Sequence, residues 1–282
     1  MGALIWLASY PKSGNTWLRA FLHNLLRNPD QAFDINRLTS FCIIDSLAHH
    51  YAHVAGRPAA TMTPDEIARL RPDVHRLFTK ASPDNSFVKT HLAFGLDAGV
   101  PTITPATTAG AIYVLRNPLD VAVSYAHHLG ASIDETIALM ARPGYRTQPS
   151  AEWVAEPMGS WSEHVASWVD APLPRRHVVR YEDMHAAPIR TFGAIAAFLG
   201  LAPPRDRLER AIKLSSFKVL RDQEKRHGFA EKSTAAERFF REGRTEAWRQ
   251  ALTTDQARAI VAGHRPVMER FGYVPEDLRH VA

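Results

Sequence analysis

Cysteine is nearly absent: Cys42 stands alone among 282 residues. That excludes an intrachain disulfide framework and a cysteine-built zinc site, and it suits a reducing compartment. Long apolar runs are absent too. The apolar start, residues 3–8, has no basic segment before it and is far shorter than the roughly 20 residues a membrane span needs. Gly2 does not open a myristoylation signal, because Trp6 stands where Ser or Thr is required. A soluble, cytoplasmic protein with no membrane partner is expected. Repeats and low-complexity tracts are missing, and no linker divides the chain, so residues 1–282 read as a single domain.

An excess of acid is missing as well. Lys and Arg number 34 against 29 Asp and Glu, a net charge of +5. This balance suits an anionic partner such as a nucleotide, and ordinary mildly basic enzymes share it. The basic stretches 205–213 and 221–226 interleave few aromatics. They read as solvated helix faces, not a nucleic-acid track, and no nucleic-acid partner is expected. With 45% hydrophobic residues the chain can bury a sizeable core, which excludes a largely disordered protein.

Short apolar runs at 4–9, 87–90, 111–115 and 178–181 read as buried strands. Helical patterns lie between them. Trp17, Phe21, Leu22, Leu25 and Leu26 repeat near 3.6 residues over 16–27. Thr63-Pro64-Asp65-Glu66 reads as a capping box with proline at the first helical position. Asn117-Pro118 opens another helix. Further helices are expected over 188–199, ended by Gly200, and over 253–271, with Thr253 and Gln256 as a capping box and Gly272 as the stop. Strands alternating with helices predict an α/β fold, a central parallel β-sheet flanked by helices. Ligands of such sheets bind beyond the carboxyl ends of the strands.

The first strand runs into Tyr10-Pro11-Lys12-Ser13-Gly14-Asn15-Thr16-Trp17 and then a helix. A helix N-terminus offers unsatisfied N–H groups and about half a positive charge, which makes it an anion site. Gly14 permits close backbone approach, Lys12 adds a point charge, and Ser13 and Thr16 add hydroxyls. The nucleoside-triphosphatase pattern G-x-x-x-x-G-K-[ST] is absent: Lys12 precedes Gly14, and the first glycine is missing. A magnesium-dependent kinase is the enzyme alternative, and a non-catalytic adenine-nucleotide module the alternative of another class.

This loop resembles the 5′-phosphosulfate loop of the cytosolic-type sulfotransferases, with Asn15 where threonine is usual. Those enzymes move a sulfuryl group from 3′-phosphoadenosine 5′-phosphosulfate (PAPS) to a hydroxyl or amine. The resemblance implies a fold similar to the P-loop nucleotide kinases, PAPS as donor and no metal. More blocks follow in the family's order. The segment 111–125, with Arg116 at a strand end and Ser124 in the next helix, is similar to the 3′-phosphate motif. A guanidinium suits a phosphate because it can bind bidentately.

Lys89-Thr90-His91 matches the family's Lys-Ser/Thr-His, which implies that His91 is the general base and that Lys89 assists at the sulfuryl oxygens. A histidine at a strand end is competent for that role near neutral pH. Tyr181 and the Ser215-Ser216-Phe217 segment resemble the family's adenine contacts, with Trp17 as a further stacking face. Residues 239–249 resemble the loop that closes over the 3′-phosphate and carry over Arg241 and Gly243. Glu242 replaces a lysine there and is expected to point away, with Arg244 supplying the missing charge. The family's dimer motif is not intact, because Arg258 stands where a glutamate belongs, so a homodimer of that kind is doubtful.

The acceptor is expected to be a small molecule: a phenol, an alcohol or a natural-product scaffold. Stretches 36–57, 130–161 and 228–239 should frame it with apolar side chains such as Phe41, Tyr51, Met140, Trp153 and Phe229. His49-His50-x-x-His53 has no carboxylate at metal spacing and reads as a polar stretch.

Overall fold

The computed structural model describes residues 2–173 and 175–280. The strands are β1 (Leu4–Ser9), β2 (Cys42–Ile44), β3 (Ser86–Thr90), β4 (Leu96–Asp97), β5 (Val100–Pro101), β6 (Thr108–Leu115) and β7 (Arg176–Arg180). The helices are α1 (Asn15–Arg27), α2 (Ala48–Ala55), α3 (Pro64–Phe78), α4 (Pro118–Leu129), α5 (Ile133–Ala141) and α6 (Trp161–Val169). They continue as α7 (Tyr181–Ala186), α8 (Pro188–Phe198), α9 (Arg205–Leu214), α10 (Phe217–His227), α11 (Trp248–Ala251) and α12 (Thr254–Arg270). The chain clusters into two compact units. One comprises Met1–Tyr10, Cys42–Tyr113 and Arg142–Val178; the other comprises Pro11–Phe41, Val114–Ala141 and Val179–Ala282.

The first unit carries most of a five-stranded sheet of order β2-β3-β1-β6-β7. β1 runs parallel to β3 from Leu4 opposite Ser86 to Ala8 opposite Thr90, and β2 runs parallel to β3 from Cys42 opposite Phe87 to Ile44 opposite Lys89. Leu4, Trp6, Leu7 and Ala8 of β1 are fully buried, which is why the strand reads as a near-continuous apolar run. The Trp6 indole donates to Thr108 Oγ1 at 2.9 Å and meets His75 of α3 edge-on, 4.8 Å between centroids. α3 begins with the capping box expected at Thr63 and Glu66.

The second unit is helical. α1 packs on α9, α8 on α9, and α4, α5 and α12 on one another. α12 starts at the expected Thr253–Gln256 capping box. One side chain of the 205–213 stretch corrects the picture of a solvated face. Arg207 of α9 donates to the carbonyls of Leu25 (2.9 and 2.7 Å) and Leu26 (3.1 Å), so it satisfies the last turn of α1. Arg19 of α1 is fully buried and forks onto Glu231 with both bonds at 2.7 Å. Tyr181, expected at a strand end, is the first residue of α7. β2 was not expected at all.

Candidate functional site

In the second unit, the loop before α1 is held in a strained turn. Lys12 has φ 64° and Gly14 φ 108°. A Cβ on Gly14 would lie 2.7 Å from the Tyr181 ring, so the position tolerates only glycine. Gly14 caps α1 without a side chain, so no cap hydroxyl or carboxylate takes up the first-turn N–H groups of the helix. Ser13 is 1% exposed, and its hydroxyl has no hydrogen-bond partner among the described residues. Buried hydroxyls are seldom left so. The Thr16 hydroxyl accepts from Arg19 at 3.2 Å. The Lys12 ammonium lies over the Phe239 ring, 3.6 Å from its centroid.

Arg116, just after β6, ties this loop to the loop at Arg244 and to α7. Its guanidinium donates to the Lys12 carbonyl at 2.9 Å and to the Arg244 carbonyl at 3.3 Å, and it stacks on Tyr181 at 4.2 Å. Trp17 meets Tyr181 edge-on at 5.7 Å and His185 at 4.6 Å. Burial first and the Arg116 charge second push His185 down to about 4, so its ring is neutral. Asp120 of α4 accepts the N–H groups of Glu246 at 2.8 Å and Trp248 at 3.0 Å, fixing the segment that follows Gly243. Ser124 is half-buried one turn before His127, whose imidazole is held below its usual range by burial and by the Arg241 charge.

Gly243 has φ 62°, and a Cβ there would fall 2.0 Å from the Phe217 ring. Glu242 is held by two guanidinium groups of its own loop. It receives Arg241 Nη1 at 2.6 Å and Arg244 Nε at 2.7 Å, and Arg244 also reaches Gln250 at 2.7 Å. Burial would raise the Glu242 carboxyl, but the Arg244 hydrogen bond and the two guanidinium charges hold it below the usual carboxylate range. Ser215 is fully buried, and its hydroxyl donates to the Ala211 and Ile212 carbonyls at 2.9 and 3.2 Å. Its proton is therefore spent on its own helix. Met140 and Phe229, expected at an acceptor pocket, are 1% and 6% exposed, and Phe229 packs with Phe239 and Phe240.

In the first unit, His91 follows β3. Its Nδ1 lies 2.7 Å from the Ser9 carbonyl, an acceptor only, so Nδ1 donates, and in the neutral ring Nε2 carries the lone pair. Lys89 stands 6.0 Å from the Trp153 ring and faces the carboxylates of Asp45 and Glu156. Trp153 lines a small cavity with Met62, Ile67 and Val154. Asp45 is 1% exposed, and burial first and Glu156 second push its carboxyl up to about 7. Asp45, Glu156 and His164 escaped the sequence reading, because their partners are distant in the chain. His50 packs edge-on against Phe78 at 4.8 Å, and among the described residues no group of His, Cys, Asp and Glu is arranged to hold a metal. No described helix is long and apolar enough to cross a membrane.

Comparison with known proteins gives one family match, to the sulfotransferase domain, over residues 4–272. The chain is similar to sulfotransferase 2A6 of Rattus norvegicus, 30% identical over 162 residues, which cover 55% of each chain. With the flavonol 3-sulfotransferase of Flaveria bidentis it shares 26% identity over 279 residues, 91% of this chain and 78% of that one. Among solved structures, a mouse sulfotransferase complexed with PAP matches with a TM-score of 0.61 at 21% identity, over 94% of this chain and 84% of that one. A retinol dehydratase complexed with androsterone and PAP matches at 0.65 and 17%, over 94% and 80%. These structural likenesses show the fold.

Proposed function

Because the chain belongs to the sulfotransferase domain family, we propose that it transfers a sulfuryl group from PAPS to the hydroxyl of a small acceptor. The observation that carries this reading is the tie between Arg116 and the loop at Lys12, made through the Lys12 carbonyl at 2.9 Å. It joins the two phosphate-binding blocks of the sequence in one unit. The mouse relative is complexed with PAP, the product such a reaction leaves. The family match runs without a break through both compact units, and we read residues 1–282 as one catalytic domain.

The roles follow from chemistry. Lys12 neutralises charge that builds on the bridging oxygen as the sulfuryl group departs, where preorganised charge counts most. Main-chain N–H groups of Gly14, Asn15, Thr16 and Trp17 and the orphaned Ser13 hydroxyl hold the 5′ end. Arg116, Ser124 and Arg241 hold the 3′-phosphate, with the Gly243 N–H beside them. Trp17, Tyr181 and Phe217 offer aromatic faces to adenine; Ser215 has only hydroxyl lone pairs left to offer. His91 takes the acceptor's proton at Nε2, the nitrogen its bond to Ser9 leaves basic. Lys89 serves the sulfuryl oxygens. Relatives act on or bind a flavonol and androsterone, which supports a hydroxyl compound of similar size as acceptor, with Trp153 at its site.

Calorimetry tests the donor first. Adenosine 3′,5′-bisphosphate should bind tightly without metal, and ATP with magnesium much more weakly. The opposite preference returns the loop to a kinase. His91→Ala should keep bisphosphate affinity while turnover falls ~10²–10⁴-fold. Full turnover in that variant removes His91 from the role of base.

A further inference from the structure

The main chain after β3 is pinned by side chains rather than by sheet neighbours. Three of them come from one face of α6, at the i, i+3, i+4 spacing that aligns side chains. His164 Nε2 donates to the His91 carbonyl at 3.1 Å, Ser167 Oγ accepts the Phe94 N–H at 3.0 Å, and Trp168 Nε1 donates to the Leu92 carbonyl at 2.8 Å. On the other side, the Glu156 carboxylate accepts the His91 N–H and the Ser46 hydroxyl, and the Pro157 carbonyl accepts the Ala93 N–H at 2.9 Å. Both main-chain groups of His91 are thus held by side chains, and its ring by the Ser9 carbonyl.

His164 is suited to that task. It is fully buried, and burial pushes it down to about 3, so it stays neutral. Since Nε2 faces a carbonyl, Nε2 bears the proton, and Nδ1 accepts from the Tyr113 hydroxyl at 2.9 Å. The ring can form both bonds in one tautomer only. Tyr113, at 0% exposed, has little freedom to move and locks that tautomer.

We propose that His164 and Glu156 are positioning residues that aim the His91 imidazole, holding its main chain from both sides so that Nδ1 stays on Ser9 and Nε2 faces the acceptor. The proposal rests on His91 being the base. A displacement of the order of 1 Å in a reacting group costs up to ~10²-fold in rate, which is the scale such anchors guard.

The test uses the full chain with 4-nitrophenol as acceptor and PAPS as donor, and it reads the His91 tautomer by ¹⁵N NMR of the imidazole nitrogens. His164→Phe and Glu156→Leu should lower kcat by roughly 10- to 100-fold with little change in KM for PAPS. Their His91 signals should show a mixture of tautomers where the wild type shows Nδ1–H alone. His164→Gln, whose amide N–H can reach the same carbonyl, should recover most of the kcat and the single tautomer. Wild-type kcat and a single tautomer in His164→Phe and Glu156→Leu would overturn the proposal. If 4-nitrophenol is no acceptor, the tautomer decides alone; if His164→Phe does not fold, Glu156→Leu decides. Full turnover by His91→Ala, measured beside them, would instead remove the base reading itself.

Discussion

Arg116 donates to the main-chain carbonyl of Lys12 at 2.9 Å, and so the side chain assigned to one phosphate holds the backbone that carries the charge assigned to the other. Lys12 sits at φ 64°, a conformation that costs a residue with a Cβ about 1 kcal/mol or more and that needs external support.

Arg116→Lys keeps the charge but cannot span the Lys12 and Arg244 carbonyls and a phosphate together. Loss of one charge-assisted bond is worth roughly 1.5–3 kcal/mol. Calorimetry should therefore show adenosine 3′,5′-bisphosphate binding weakened by about 10- to 100-fold. Undiminished affinity would confine Arg116 to holding the loop.

Two glycines should resist substitution for a reason that a third does not share. Gly14→Ala drives a methyl against Tyr181, and Gly243→Ala drives one into the Phe217 ring, each at positive φ. Gly56 also has positive φ, at 67°, but faces open space. Denaturant unfolding should show Gly56→Ala losing about 1 kcal/mol from backbone strain alone. Gly14→Ala and Gly243→Ala should lose more, with weaker bisphosphate binding. Equal losses at all three would show that Tyr181 and Phe217 yield easily.

What the sequence made legible was local. β1, its loop and α1 lie in one continuous stretch, and the capping boxes at Thr63 and Thr253 each span four residues. A capping box at Ser160 and Glu163 was equally readable and would have located α6. β2 is three residues long, too short to show a period. The partners of Arg19, Arg207 and His164 lie 212, 182 and 73 positions away, and no local pattern encodes such a pairing. The Lys12 loop was legible for the opposite reason: its short turn and the helix start that follows are written in consecutive residues.

Glu242 occupies both guanidiniums of its loop, Arg241 at 2.6 Å and Arg244 at 2.7 Å. A phosphate approaching Arg241 competes with that carboxylate. Exposed pairs contribute only ~0.2–1 kcal/mol each, so the effect is modest. Glu242→Gln should tighten bisphosphate binding by a factor of about 3–10 at low salt, and the gain should shrink as ionic strength rises. Weaker binding in the variant would mean that Glu242 orders the loop and that its loss costs more than its charge.

Asp45 gives the chain a pH dependence of known sign. Its carboxyl is raised to about 7 from 3.8, by burial first and by Glu156 second. A raised folded-state value means that the native protein binds the proton more tightly than the unfolded chain does. Stability from this group is complete below about pH 4 and is lost as pH rises through about 7. A gap of about 3 pH units corresponds to at most ~4 kcal/mol. Asp45→Asn removes the titration while adding a fixed cost for a buried amide. The melting temperature of the variant relative to wild type should therefore rise between pH 5 and pH 8, whatever its starting offset. A difference that stays constant over that range would mean that water or a cation reaches Asp45 and keeps it ionised in the folded protein.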